Sequence, residues 1–185
     1  MRHFSGRFFW ACYVLINGFV TIGLLSAVAV ISHTPFVFPS LGPTAFLFFS
    51  NPRGVDASPR SAVIGHAVAI VCGYGSLLLF GLQNSGSALA TGVTWPRAMA
   101  AALSLATTGA LVILLDAPHP PAGATTLIVA LGALDRLEYL GVIEVAVVLL
   151  ALQAVLINRL AGLDYPLWRW TLPAPEPPGR DSGAP

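Results

Sequence analysis

The sequence predicts an all-α fold, a polytopic bundle of transmembrane helices, and three observations carry that prediction. Hydrophobic residues make up 56% of the 185, and the mean hydropathy is +0.78. Charged residues make up 9%, where soluble domains sit near roughly a quarter, too few to keep a folded surface of this size dispersed in water. Four apolar runs, Phe8–Ile31, Ser61–Leu82, Ala98–Leu115 and Val142–Leu160, are each about 18 to 24 residues long, enough at about 1.5 Å per residue to cross a hydrocarbon core of roughly 30 Å.

The first run follows Arg2 and Arg7 and contains Ala27-Val28-Ala29, which resembles a leader cleavage site. Its apolar stretch exceeds the roughly 7–15 residues of a leader's core, so it is expected to be retained as a span. All nine basic residues are arginines, most of them near the ends of apolar runs, where they can snorkel to the headgroups. The net charge of +1 gives no sign of a nucleic-acid partner. Cys12 and Cys72 stand alone within apolar runs and read as packing residues.

Between the first and second spans lies the apolar segment Phe36–Phe49, and between the third and fourth lies His119–Leu131. Each opens with prolines and a glycine. The prolines remove backbone donors and force extended backbone before them, so neither segment can be an uninterrupted helix. Each reads as an extended stretch followed by a half-helix of two or three turns. The two segments also match one another: Pro39-x-x-Gly42-x-Thr44 aligns with Pro120-x-x-Gly123-x-Thr125 at an offset of 81 residues. The same offset carries Ser61 onto Val142, the expected starts of the second and fourth spans. An internal repeat of span, broken segment, span is therefore expected, over about residues 8–82 and 98–160. Glycine- and proline-interrupted segments in matching positions of two halves point to a transport site.

If both broken segments cross the membrane, the halves are inverted and Arg53 and Arg60 share a side with Arg2, Arg7 and Arg159. If they re-enter, those two arginines fall on the other side. Clustering of arginines on one face favours crossing and places the N-terminus in the cytoplasm. Residues 1–170 are expected to form one transmembrane domain, with Trp168 and Trp170 suited to an interfacial belt. Residues 171–185 are Pro/Gly-rich, which predicts a disordered tail.

A broken helix begins with unpaired N–H groups and the positive end of its dipole, which in low dielectric makes an anion site. The candidates for substrate binding are Ser40, Gly42, Thr44, His119, Gly123, Thr125 and Thr126, through backbone N–H groups, hydroxyls and one imidazole. The same hydroxyls can equally do no more than cap the half-helices and cross-link the bundle. His66, His119 and Asp116 are candidates for proton coupling, since an ionisable residue at membrane depth is a functional candidate by default. His119 can instead be a structural histidine held by Asp116 or a freed carbonyl.

Ser61, Gly65, Ala69 and Gly73 recur every fourth residue and predict a ridge for close helix packing beside His66; Ala100, Ser104 and Thr108 form a similar stripe. Asn17, Gln153 and Asn158 read as helix bridges. Glu144 and Arg136 read as interfacial, and His3 and His33 as wet. Nucleotide fingerprints, a Walker motif, a zinc-protease motif and a placeable catalytic triad are missing. The expectation is a non-enzyme without metal or cofactor.

His119-Pro120-Pro121-Ala122-Gly123-Ala124-Thr125-Thr126 resembles the signature of the HPP family of bacterial and plant-organelle membrane proteins. Phe38-Pro39-Ser40-Leu41-Gly42-Pro43-Thr44-Ala45 is similar to that family's first broken segment. Pro59-Arg60 with Gly65-His66 resembles its Pro-Arg…Gly-His element, although members often carry Asn where Ser61 stands. Ile157-Asn158-Arg159-Leu160-Ala161-Gly162 resembles the close of its last span. The resemblance implies four long spans and, because some members are implicated in nitrite transport, a small-anion substrate. The combined expectation is a transporter or channel for a small monovalent anion, nitrite first, in a bacterial inner membrane and acting as a homodimer or other homo-oligomer. The alternative is a non-transporting sensor or assembly module that binds an anion or a lipid headgroup.

Overall fold

A computed structural model describes residues 2–134 and 136–170. The expectations for the side chain of His3 and for the tail 171–185 lie outside the described residues. Among these are seven helices and no strand: α1 (Arg2–Ser32), α2 (Leu41–Ser50), α3 (Pro59–Leu79), α4 (Ala88–Thr91), α5 (Trp95–Leu114), α6 (Ala122–Ala130) and α7 (Leu137–Leu160). Four of them, α1, α3, α5 and α7, are long and apolar enough to cross a membrane.

Local sequence explains the boundaries. Pro59 occupies the first turn of α3, where its missing N–H costs nothing, and the Ser58 hydroxyl accepts from the Ser61 N–H at 3.2 Å. Gly81 (φ 64°), Gly132 (φ 70°) and Gly162 (φ 77°) sit in left-handed backbone just past the ends of α3, α6 and α7, the conformation that ends a helix with its last carbonyls satisfied. The two short helices start where expected, after Pro39 and after Pro120-Pro121, and run 10 and 9 residues. Three helices start well before the expected runs: α1 at Arg2, α5 at Trp95 and α7 at Leu137. In α5 the reason is local, because Pro96 is well placed in a first turn. The one-turn helix α4 was not expected.

Side-chain contacts fix the direction of every segment. At one end of the bundle, the near end, the Trp10 indole N–H donates to the Ser50 carbonyl at 3.4 Å, and the Arg60 N–H donates to the Trp168 carbonyl at 2.9 Å. The Arg60 guanidinium reaches the Leu115 carbonyl at 2.8 Å, and the Tyr165 hydroxyl donates to the Ala57 carbonyl. At the far end, the Ala88 N–H donates to the Leu131 carbonyl at 2.9 Å, and Arg97 reaches the Ala130 carbonyl at 3.3 Å. Residues 33–50 therefore return the chain from far to near, and residues 116–130 carry it from near to far. Both broken segments cross the bundle; neither doubles back.

The packing is interleaved. α2 lies against α1 and α7, whereas α3 lies against α5, α6 and α7. α1 is peripheral, with 11% of its apolar window buried against 39% for α3 and for α7. The core is built from Leu41, Ala45, Phe48 and Phe49 of α2 against Ile143, Val147, Leu150 and Ala154 of α7. Asn158 bridges three helices: it accepts from the Tyr13 hydroxyl at 2.7 Å and donates to the Phe48 carbonyl at 3.2 Å. Asn17 instead donates to the Tyr13 carbonyl of its own helix at 2.8 Å, so it is not a bridge of this kind. The small-residue ridge of α3 packs on α6. A Cβ added at Gly73 would lie 2.8 Å from the Val129 Cβ and 2.9 Å from the Thr126 carbonyl oxygen.

Candidate functional site

α2 and α6 begin at the same depth and point to opposite ends of the bundle. Their first turns supply Thr44 and Thr125, and His66 of α3 stands between them. The His66 Nδ1 lies 2.7 Å from the Thr125 hydroxyl, and its Nε2 lies 3.0 Å from the Thr44 hydroxyl. The Thr44 hydroxyl is also 3.2 Å from His119 Nε2 and 3.0 Å from the Ser40 carbonyl. His119 Nδ1 lies 2.7 Å from the Asp56 carbonyl. Thr44, His66, His119 and Thr125 are all buried, and the two imidazole centroids are 5.1 Å apart.

Adjacent residues of α3 build this pair. A Cβ at Gly65 would lie 2.8 Å from the His119 Cβ, so the missing side chain at Gly65 admits His119, and the next residue supplies His66. Pro120 and Pro121 hold His119 in extended chain just ahead of α6.

For neutral rings the partners set the proton positions. A carbonyl only accepts, so His119 Nδ1 carries a hydrogen, and in the neutral ring Nε2 is then an acceptor for the Thr44 hydroxyl. Thr44 in turn accepts from His66 Nε2–H, and His66 Nδ1 accepts from Thr125. With both rings neutral, one directed chain runs Thr125, His66, Thr44, His119, Asp56 carbonyl, and every imidazole nitrogen is satisfied. Thr44 has a second acceptor in the Ser40 carbonyl. If a proton arrives on His119, the Thr44 hydroxyl can turn to Ser40 and accept from His119 instead.

The other expected site residues divide. Ser40 is buried at this node, with its hydroxyl unpartnered. Thr126 is buried one residue beyond Thr125 and accepts from Thr108 at 3.1 Å, tying α6 to α5. Gly123 faces Leu105 and lines a recess of about 260 Å³ with His119, Thr108 and Gly109. Gly42 is on the outer surface, with nothing within 4 Å of an added Cβ. The expected cradle of free N–H groups is reduced at α6, because those of Ala122, Gly123 and Ala124 already donate to the carbonyls of His119, Pro120 and Pro121 at 2.9–3.0 Å. The half-helix starts with a tight turn that uses its own first donors.

Asp116 stands apart from the histidines. It ends α5 at the near end in left-handed backbone (φ 51°) and pairs with Arg169 at 2.6 Å, its side chain 67% exposed. The Asp56 carbonyl holds His119 instead. Beside it at the near end is a vestibule of about 380 Å³ lined by Ser58, Arg60, Ser61, Asp116, Arg169 and Trp170. Tyr165 packs the C-terminal strap beneath this mouth, and burial pushes its hydroxyl pKa above the ordinary value.

Sequence reading missed Arg97, the buried guanidinium that holds the Ala130 and Gly86 carbonyls. An arginine beside a proline at the edge of an apolar run was the available signal, and it suggested only an interfacial residue. Glu144 lies further along its helix than expected: α7 begins five residues before Val142, so Glu144 is two turns from its start.

The family profile for the HPP transmembrane region matches residues 5–166. The chain belongs to the HPP transmembrane family. Two transmembrane proteins of Dictyostelium discoideum are similar to it. One is 30% identical over 167 residues, covering 87% of this chain and 50% of the relative; the other is 25% identical over 167 residues, covering 87% and 55%. The chain thus spans about half the length of these relatives. No solved structure matches it.

Proposed function

We propose that this HPP protein is a transporter or channel for a small monovalent anion, nitrite before others. The supporting observation is that His66 bridges the first turns of α2 and α6 inside the bundle, where Ser40, Thr44, Thr125, His66 and His119 form a buried polar node. Two helix starts facing one another concentrate positive potential without a fixed positive charge. The unpartnered Ser40 hydroxyl is a donor available to an anion. The near-end vestibule carries Arg60 beside the Asp116–Arg169 pair, a net positive lining that gathers anions beside the node. Proton movement along the Thr125–His119 chain is the coupling device, and Asp116 has no part in it.

The matched patterns at Pro39–Thr44 and Pro120–Thr125, with the opposed directions of α1 and α5, support an inverted internal repeat. Arg2, Arg7, Arg53, Arg60, Arg159 and Arg169 lie toward the near end, and Arg97 and Arg136 toward the far end. That bias makes the near end, with the N-terminus, cytoplasmic in a bacterial inner membrane. A bundle this thin is read as a homo-oligomer.

The bonded N–H groups of Ala122–Ala124 favour one second reading, a non-transporting module that senses an anion or a lipid headgroup. Flux into proteoliposomes of nitrite, nitrate, formate and chloride across a range of pH separates the two. Nitrite-selective flux that is lost in Gly123→Leu and loses its pH dependence in His119→Ala supports transport. Folded protein that passes none of the four anions moves the assignment to the module.

A further inference from the structure

α7 carries an ionisable group that the anion node does not use. Both carboxyl oxygens of Glu144 are buried, and neither has a hydrogen-bond partner. The side chain lines a groove of about 540 Å³ between α3 and α7, whose other walls include Ala67, Val71, Tyr74, Gly75 and Gly141. Nothing lies within 4 Å of a Cβ added at Gly75 or Gly141, so the two glycines leave the groove open to one side of the bundle. Val71 is 69% exposed along its rim. Toward the far end the groove shares Tyr74 and Leu137 with a polar mouth formed by Gln83, Asn84, Arg136 and Glu138.

A carboxyl in apolar surroundings costs several kcal/mol to ionise without a partner, and in a spanning helix such a group marks a function. The cation nearest in sequence, Arg136, is engaged at 3.1 Å with Glu138 and lies over the Tyr139 ring. We propose that the α3–α7 groove binds an amphiphile carrying a protonated amine, with Glu144 as its counter-ion and the glycine-opened walls holding its apolar body. The volume suits a small amphiphile. An ammonium supplies the charge and the N–H donors that the carboxylate lacks, and a charge-assisted bond is strongest where water is excluded. A neutral amphiphile would fill the walls and leave the carboxyl unpaired. A second copy facing the groove about a two-fold axis would set the same apolar walls and a second carboxyl against Glu144.

The test uses the full chain in phosphatidylcholine nanodiscs, treated with dicyclohexylcarbodiimide and read by peptide mass spectrometry. The protonated acid adds across one C=N bond of the reagent, and the O-acylisourea rearranges to a stable N-acylurea that retains every atom of both. A seated tertiary amine covers the carboxyl and excludes the reagent, and it cannot convert the O-acylisourea to an amide as a primary amine would. The expected result is an adduct on Glu144 that N,N-dimethyldodecylamine suppresses at a concentration at least tenfold below that of dodecanol. Native mass spectrometry should show N,N-dimethyldodecylamine bound to the natural chain and at least tenfold less to Glu144→Gln of unchanged elution volume. Equal protection by amine and alcohol would overturn the ionic recognition. Absence of any adduct on folded protein would overturn the accessible groove and point to a covering partner.

Discussion

Replacing Thr44 by valine keeps the shape of the side chain and removes the hydroxyl on which the two histidines converge. In the native chain that hydroxyl contacts His66 Nε2 at 3.0 Å, His119 Nε2 at 3.2 Å and the Ser40 carbonyl at 3.0 Å. The Ser40 carbonyl keeps its place in the first turn of α2, so two groups are orphaned: a donor on His66 and an acceptor on His119. A buried polar group left unsatisfied costs about 1–3 kcal/mol, which sums to roughly 2–6 kcal/mol. Hydrogen bonds measured between membrane helices average near 0.6 kcal/mol, because the unfolded chain in lipid also finds partners. The low end therefore applies, and the expected loss is about 2 kcal/mol. Unfolding titrations in mixed micelles measure it, with Thr44→Ser, which retains the hydroxyl, as the control. A Thr44→Val variant within about 0.5 kcal/mol of the natural chain would refute the directed chain of hydrogen bonds.

Four further expectations follow from the same geometry. Gly73→Leu should lose about 1–3 kcal/mol or fail to fold, because its Cβ meets the Thr126 carbonyl and Val129, whereas Gly18→Ala, with open space around it, should stay within about 0.5 kcal/mol in the same titration. In a double-mutant cycle, Tyr13→Phe and Asn158→Leu should show a coupling of about 0.5–2 kcal/mol, since each leaves the other's hydrogen bond unmade. Asp116→Asn should change stability by less than about 1 kcal/mol and leave any pH dependence of flux in place, because its pairing with Arg169 is exposed. Burial raises the Tyr165 pKa, so its contribution is complete below about pH 10 and is lost as pH rises beyond that value; Tyr165→Phe should show a shallower alkaline loss in thermal melts.

The spans were legible because crossing a bilayer demands a long apolar run whatever else the helix does, and the broken segments because proline cannot hide in a helix. The convergence of Thr44, His66, His119 and Thr125 was legible only as a set of candidates. Which of them touch depends on α3 packing against α6 rather than α2, and no local pattern encodes that choice. Asp116 was linked to His119 because the two lie three residues apart. The left-handed turn at Asp116 sends its carboxylate outward, and the Asp56 carbonyl takes its place, the other of the two partners the sequence allowed. Glu144 and Arg97 were misjudged for different reasons. The start of α7 falls five residues before Val142, a shift that apolar run length cannot resolve, whereas Arg97 stays in the first turn of α5 and is buried by the Gly86 and Ala130 carbonyls, partners from other segments that no local pattern names.

The interleaving of α3 and α7 also bears on how the chain is made. α3 is synthesised directly after α2 yet finds its main partners in α5 and α6, whose last residue, Ala130, follows Leu79 by about fifty positions. α2 waits longer still, since the α7 face that buries Leu41, Phe48 and Phe49 arrives last. During synthesis the first three helices therefore stand in the membrane with their polar node half built, Thr44 and His66 present and His119 and Thr125 still to come. A chain stopped after residue 82 has no complete folding unit to fall back on, and it would be met by membrane quality control as an orphan with exposed hydroxyls and an imidazole. Assembly is decided late, when α6 inserts beside α3 and α7 closes over α2.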